Sequence, residues 1–471
     1  MNRSLCAVLA LSIALVGVAC SSEGTTPTAM GGSHSGGNGP SGGGSGGVLA
    51  GNGNGGPVAG REAADAGTAG DSRAGSGAGG KAGASGVGVA GAAAGSVAGG
   101  SVGQSGASGA NGSAGRGGAT ASAGASGTAG APASGGAPAC GNIASTSTRP
   151  QLSTSEAANQ TIAKYFAQSD NWDPTAGLGN ASAWTPNFTV AADGSGTHKT
   201  LQAAISAASV GSTRNYILVK PGTYREQIKY TGSTPLTIYG AESDATRVVI
   251  VNNLSAAAAG GTSKTATFMS SAPGLQLMNL TVSNDYATPA SGSDLQAVAL
   301  YVTGDKTVLE NVRLHGFQDT LFADTASDSK ASRVYVRKSF IEGDTDFIFG
   351  GASLVIDSST LHYLSSRKGS GTGVYLAPST RVSNAYGFLV IASDFTADAS
   401  APTNKISLGR SWDQGGVSPT PNGQAVIRES ALGAHVNKTA PWAAAATSGR
   451  TYSPTGNRFS EFCNHGKGAG P

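Results

Sequence analysis

Of the 471 residues, 74 are glycine, and 41 of these fall between Ser21 and Ala139, a stretch without a single Phe, Tyr or Trp. A glycine-rich stretch of this kind, filled out with Ala and Ser and lacking a Gly-X-Y register, cannot bury a core and is not collagen. Folding is left to residues 140–471, enough for one large domain or two small ones, and a net charge of +3 gives no reason to expect a nucleic-acid partner.

At the start, Arg3 is followed by an apolar run from Leu5 to Val18 and then Ala19-Cys20, which reads as an export signal over residues 1–19. The run is too short for a membrane span. Gly17-Val18-Ala19 satisfies small-x-small cleavage, and the same segment resembles a bacterial lipoprotein box, although that box usually has Leu where Gly17 stands. A lone cysteine fits an anchor better than a free extracellular thiol. Cys20 is therefore expected to carry lipid, and Ser21 after it points to the outer membrane. Residues 20–139 would form a flexible tether with an r.m.s. reach of roughly 55–65 Å. Cys6 leaves with the signal. Cys140 and Cys463 remain at the two edges of the aromatic-containing region, in an oxidising compartment, and a disulfide between them is expected, two buried thiols being the alternative.

Within residues 140–471 an amphipathic helix is predicted over Ser155 to Gln168, and a second, short one over Leu201 to Ser209. Short β-rich runs follow, among them Tyr216-Ile-Leu-Val, Leu236-Thr-Ile-Tyr and Val248-Val-Ile-Val. Apolar residues five apart then recur as Leu277/Val282, Leu309/Leu314, Val336/Ile341, Ile356/Leu361, Val390/Phe395 and Ile427/Leu432. On one flat strand an odd offset puts two side chains on opposite faces. If both are core, the chain turns a corner between them, as in a β-solenoid with coils of 32, 27, 20, 34 and 37 residues. A β-sandwich is the alternative.

Aligning Leu309–Leu314 on Val336–Ile341 superposes Asp319 on Asp346. In a solenoid these carboxylates face each other across one strand spacing, about 4.8 Å. At an effective dielectric near 20 their repulsion is about 3 kcal/mol, enough to keep one ionised while the other holds a proton. Gln318 beside them is an uncharged donor suited to an oxyanion, and Phe317, Phe322, Phe347 and Phe349 surround them. The competing reading is that each aspartate caps a glycine-rich turn. Asp344-Thr-Asp346 offers too few oxygens for a hard cation.

Gly316-Phe-Gln-Asp-Thr-Leu321 followed by Asp346-Phe-Ile-Phe-Gly350 resembles the signature of the pectin methylesterases, the pectinesterase family. Four further segments agree in order: Val190-Ala-Ala-Asp-Gly-Ser-Gly196, Gly222-Thr-Tyr-Arg-Glu226, Gln296-Ala-Val-Ala-Leu300 and Leu408-Gly-Arg-Ser-Trp412. The resemblance, from Asn187 onwards, implies an all-β, right-handed parallel β-helix that hydrolyses methyl esters of galacturonate in pectin or oligogalacturonides, without metal or cofactor; a monomer is expected. It implies Asp346 as nucleophile, Asp319 as general acid and then base, Gln318 and Gln296 as oxyanion donors, and Arg410 as the partner of Asp346. Trp412, Phe322 and Phe349 would line the sugar groove. Tyr224 and Glu226 are expected to be structural, and His198 and His315 to have no role in the chemistry.

Two departures stand out. Ser411 replaces the family's usual proline, and Ala323 to Ser332 is a longer loop than expected. With Ile341-Glu-Gly-Asp344 the chain looks more like the bacterial outer-membrane lipoprotein branch, a resemblance that leaves short oligogalacturonides and other esters or thioesters as alternative substrates. A non-catalytic polysaccharide-binding solenoid is the third reading, and paired carboxylates argue against it.

Overall fold

The structure is a computed structural model, and it describes residue 140 and residues 143–167, 170–287, 295–367, 372–414 and 418–470. The expected signal, the Cys20 anchor and the tether all lie outside the described residues.

The odd-spaced apolar pairs are stacked in exact register. Leu277, Leu309, Val336, Ile356, Val390 and Ile427 form one inward column, and Val282, Leu314, Ile341, Leu361, Phe395 and Leu432 form a second. All these positions are fully buried or nearly so. The corner between them is a residue with positive φ, two places after the first apolar residue of each pair: Asn279, Asn311, Lys338, Ser358, Ala392 and Glu429. Left-handed backbone reverses the alternation of side chains for one step, which is what lets both members of a pair face inward.

Among the described residues the strands pair only in parallel, and a single antiparallel bridge, Ser327 to Lys330, lies in a loop. One sheet runs from Phe188–Val190 through Asn215–Val219, Leu236–Gly240, Gln276–Asn284, Thr307–His315, Arg333–Arg337, Ser353–Asp357, Phe388–Ile391 and Gln424–Arg428 to Arg458–Phe462. Past the corner, short strands such as Phe340–Gly343 and Thr360–Tyr363 continue it on a second facet. The other sheet is eight-stranded: Ile228–Tyr230, Phe268–Ser270, Leu300–Val302, Leu321–Ala323, Ile348–Gly350, Val374–Pro378, Ser407–Arg410 and Trp442–Ala443. One coil contributes a strand to each, and a single apolar core fills the interior.

The helix predicted over Ser155–Gln168 is two short helices, Thr154–Ala157 and Ile162–Phe166. The hydroxyl of Thr161 accepts the amide of Lys164 and starts a second helix where the first would have continued. The helix predicted at Leu201 is present as Leu201–Ala208. Its first free amides, of Leu201 and Gln202, donate to the carboxylate of Glu226 at 2.8 and 3.1 Å, so Glu226 is structural as expected.

Residues before the first coil form a strap. Val308, Tyr335, Val355, Leu389 and Val426 make an outward apolar column on the long sheet, and Tyr165 and Phe166 cover it. The strap begins at the last coil, where Leu152 donates its amide to Glu461, and ends at the first coils, where Trp184 packs on Tyr216 and Tyr239. Midway it is held by the fully buried Arg333, which forks onto Asp305 and also donates to Asp170. Cys140 and Cys463 are disulfide-bonded with their Cα atoms 4.6 Å apart, as expected.

That bond closes a loop of 323 residues, and the chain-entropy model gives it about 6 kcal/mol as an upper bound. Replacing both cysteines by serine is expected to lower the thermal midpoint by several degrees and to expose the strap around Thr146–Leu152 to proteolysis before any coil opens. Equal protease resistance in both proteins would refute it.

His435 lies in the last coils, 6% exposed, with its Nε2 2.6 Å from the Tyr375 hydroxyl. Burial, reinforced by His362 and opposed by Asp398, pushes its pKa down to about 4. The unfolded chain binds this proton near pH 6.5 and the folded protein does not, so the stability it contributes is full above pH 6.5 and is lost as pH falls toward 4. The loss is up to roughly 3 kcal/mol. Urea unfolding at pH 7, 5 and 4 should show a flatter profile for His435→Gln than for wild type, and parallel profiles would sink the assignment.

Candidate active site

The turns leading into the eight-stranded sheet carry the chemistry. Gln296 pairs with Gln318, and Gln318 with Thr345, as single β-bridges between successive coils. Leu321 and Phe322 pair with Ile348 and Phe349, so Asp319 and Asp346 occupy the same phase of neighbouring coils, as the 27-residue offset predicts. Both aspartates have positive φ, 69° and 46°, a conformation that Asp tolerates better than most residues. The reversal sends Phe347 into the interior against Tyr375, 5.0 Å between ring centroids. Phe347 is thus a core residue, contrary to its expected place beside the carboxylates. Gly343 is required by close approach, since a Cβ there would meet the carbonyl of Phe317 and the ring of Phe347.

Asp346 is 8% exposed and Asp319 6%. Arg410 grips Asp346 with both arms, Nε to Oδ1 at 2.8 Å and Nη2 to Oδ2 at 2.7 Å. This planar fork fixes the plane of the carboxylate. Repulsion between two aspartates alone is therefore an incomplete account of the site, because a guanidinium compensates one of them.

Outward positions of the eight-stranded sheet form a floor. Met269, Tyr301, Phe322, Phe349 and Ala377 lie in register on successive strands. Tyr301, Phe322 and Phe349 stack with centroids 4.3 and 4.2 Å apart. Trp412 meets Phe322 and Phe349 edge-on at 5.8 and 5.4 Å. Tyr301 and Met269 were not foreseen; their signal is the register with Phe322, which only a known coil offset reveals.

The segment that carries Arg410 and Trp412 is held from behind. Ser411, in place of the family's proline, donates its hydroxyl to the fully buried Asp413 at 3.0 Å, and Arg450 forks onto the same carboxylate at 2.9 Å in both bonds. A hydrogen-bonded anchor thus does what a fixed φ would do. The long loop from Ala323 to Ser332 is linked toward the Trp412 segment through Arg381, whose Nε donates to Asp328 at 2.9 Å and whose Nη1 donates to Gln414 at 2.5 Å. Asp324 at its base is partly buried and takes the amide of Gly351, and desolvation raises its pKa.

Among the remaining candidates, Tyr224 is buried and donates to the carbonyl of Lys220. His198 contacts Thr197 at the surface. His315 bonds Glu342 through one ring nitrogen and accepts from Arg313 Nε on the other. Asp344 is fully buried and gives both oxygens to Arg367.

Comparison with known proteins assigns this fold and site to the carboxylic ester hydrolases. The pectinesterase family model matches residues 187–470, and the chain belongs to that family. It is 42% identical to a pectinesterase of Ralstonia solanacearum, over 69% of this chain and 93% of that one. It is 32% identical to the putative acyl-CoA thioester hydrolase YbhC of Escherichia coli, over 65% of this chain and 81% of that one. The solved structure of rice weevil pectin methyl esterase superposes with a TM-score of 0.61 at 32% identity, covering 69% of this chain and 99% of that one. The fold is the right-handed parallel β-helix of these enzymes.

Proposed function

We propose that the protein hydrolyses methyl esters of galacturonate in pectin or oligogalacturonides, releasing methanol. The bidentate hold of Arg410 on Asp346, beside the Gln296–Gln318 column, carries the reading. An ionised, oriented carboxylate next to uncharged donors suits attack on an ester carbonyl. An oxygen of Asp346 adds to the carbonyl, and Gln318 and Gln296 hold the resulting oxyanion. Asp319, protonated, gives its proton to the departing methoxide, leaving an acyl-enzyme on Asp346. Asp319, now ionised, takes a proton from water, the hydroxide attacks the acyl carbon, and Asp346 leaves. Trp412 offers its ring to the sugars, while Phe322 and Phe349, stacked on each other, support it from below and offer only their edges.

Support for the substrate comes from the Ralstonia relative's name and from a pectin methylesterase solved with a hexasaccharide, TM-score 0.53 at 29% identity. The test is methanol released by wild type from highly methylated pectin and from methylated oligogalacturonides. Turnover of acyl thioesters without methanol release would replace this reading with the one the YbhC name suggests. The export signal at residues 1–19 and a lipid on Cys20 complete the proposal, placing a monomeric enzyme on the outer membrane at the end of its tether. Metabolic lipid labelling that survives Cys20→Ser would refute the anchor.

A further inference from the structure

Arg367 follows the strand Thr360–Tyr363 and is buried to 3% side-chain exposure, facing Asp344 at 0%. Its Nε and Nη2 fork onto Asp344 at 2.7 and 2.9 Å, its Nη1 donates to the carbonyl of Leu295 at 3.4 Å, and its plane lies 5.0 Å from the ring of Phe317. Leu295 precedes Gln296, Phe317 precedes Gln318, and Asp344 stands two places before Asp346. One guanidinium thus touches a near neighbour of each oxyanion donor and of the nucleophile. These three segments belong to successive coils, joined by the backbone bonds Ala297 to Gln318, Asp344 to Phe317 and Asp319 to Thr345, and Arg367 is a side chain that reaches all three.

We propose that Arg367 is a positioning residue for this reaction, setting Gln296, Gln318 and Asp346 in one geometry through their neighbours. The inference rests on the esterase reading of the site. Its chemistry is that of a planar fork: two parallel bonds fix Asp344 in orientation, while the third arm and the flat face fix the other two segments. A lysine keeps the charge and loses the fork. A misplacement of about 1 Å between reacting groups costs on the order of 100-fold in rate.

Arg367→Lys is expected to lower kcat by roughly 10- to 100-fold with KM within about twofold of wild type. Arg367→Met leaves Asp344 an unpaired carboxylate two residues from Asp346, which disfavours the ionised nucleophile and moves the acid limb of kcat/KM to higher pH. In Arg367→Met with Asp344→Asn the extra charge is gone. The acid limb should return to its wild-type position while kcat stays low. A purely structural pair would lower stability and leave both the kcat-to-KM split and the pH limb of the folded fraction unchanged. Rates are therefore taken per folded enzyme, from thermal melts of each variant. Should Arg367→Met fail to fold, Arg367→Lys and Asp344→Asn decide the matter: kcat within threefold of wild type in both overturns the proposal. A wild type that makes no methanol fails the pectin reading instead, and the same variants are then compared on whichever ester or thioester the wild type cleaves.

Discussion

Asp346→Asn is expected to abolish methanol release, lowering kcat by about 10⁴-fold or more, as removal of a covalent nucleophile does. The amide matches the carboxylate in shape, so the stacked Phe322–Phe349 floor and the groove loops should persist, and binding of methylated oligogalacturonide should change far less than turnover. Arg410 then faces a neutral acceptor in place of the anion it now grips at 2.7 and 2.8 Å. Two measurements check this: steady-state methanol release, and calorimetric titration of a non-hydrolysed oligosaccharide. Retention of even one-hundredth of the wild-type kcat would remove Asp346 from the role of nucleophile and turn attention to water activated by Asp319.

Arg149→Met is expected to destabilise the fold by about 3–5 kcal/mol, the cost of leaving a buried charge without its partner. Glu461 fills, in the last coil, the inward place that Ile427 fills in the coil before, and it is completely buried. Arg149 reaches it at 2.8 Å and also donates to the carbonyls of Lys438 and Gly468 at 2.7 and 2.9 Å. Burial raises the pKa of Glu461 even with that partner present. In the variant the deficit should shrink as pH falls, because the folded state then takes up a proton that neutralises the carboxylate. Adding Glu461→Gln should recover most of the loss at neutral pH. Thermal unfolding reads both effects, with an expected drop of roughly 5–15 °C for the single variant. A midpoint within two degrees of wild type would show that water or a shifted side chain satisfies Glu461.

The coil was legible because two apolar columns with an odd offset leave a mark in the sequence that neither a flat sheet nor a helix produces. That mark also placed Asp319 over Asp346, since both follow the same column in successive coils. Arg410 was legible only through the order of motifs, because 64 residues separate it from Asp346 and no local pattern links them. The strap was not legible. Tyr165 and Phe166 sit in the short helix Ile162–Phe166 and cover an outward apolar column, and apolar residues at the alternate positions of a strand do not say in the sequence which distant segment covers them. Asp344 carried a suggestion of metal chemistry that the structure replaces with an ion pair, and nothing near Arg367 in the sequence marks it as the other half.

The strap runs counter to the direction in which the coils are laid down, so the polypeptide enters the fold beside the coil it completes last. Tension arriving along the residues before Cys140 meets the Cys140–Cys463 bond first and is carried covalently into the final coil, 4.6 Å away between Cα atoms. The short helices and the Arg333 clamp behind it stay unloaded. With that bond reduced, the same pull would peel Leu152, Tyr165 and Arg333 from the sheet one contact after another, unzipping the cover from the coils. The oxidised protein is therefore expected to resist force as a single body, and the reduced one to yield in small steps beginning at its last coil.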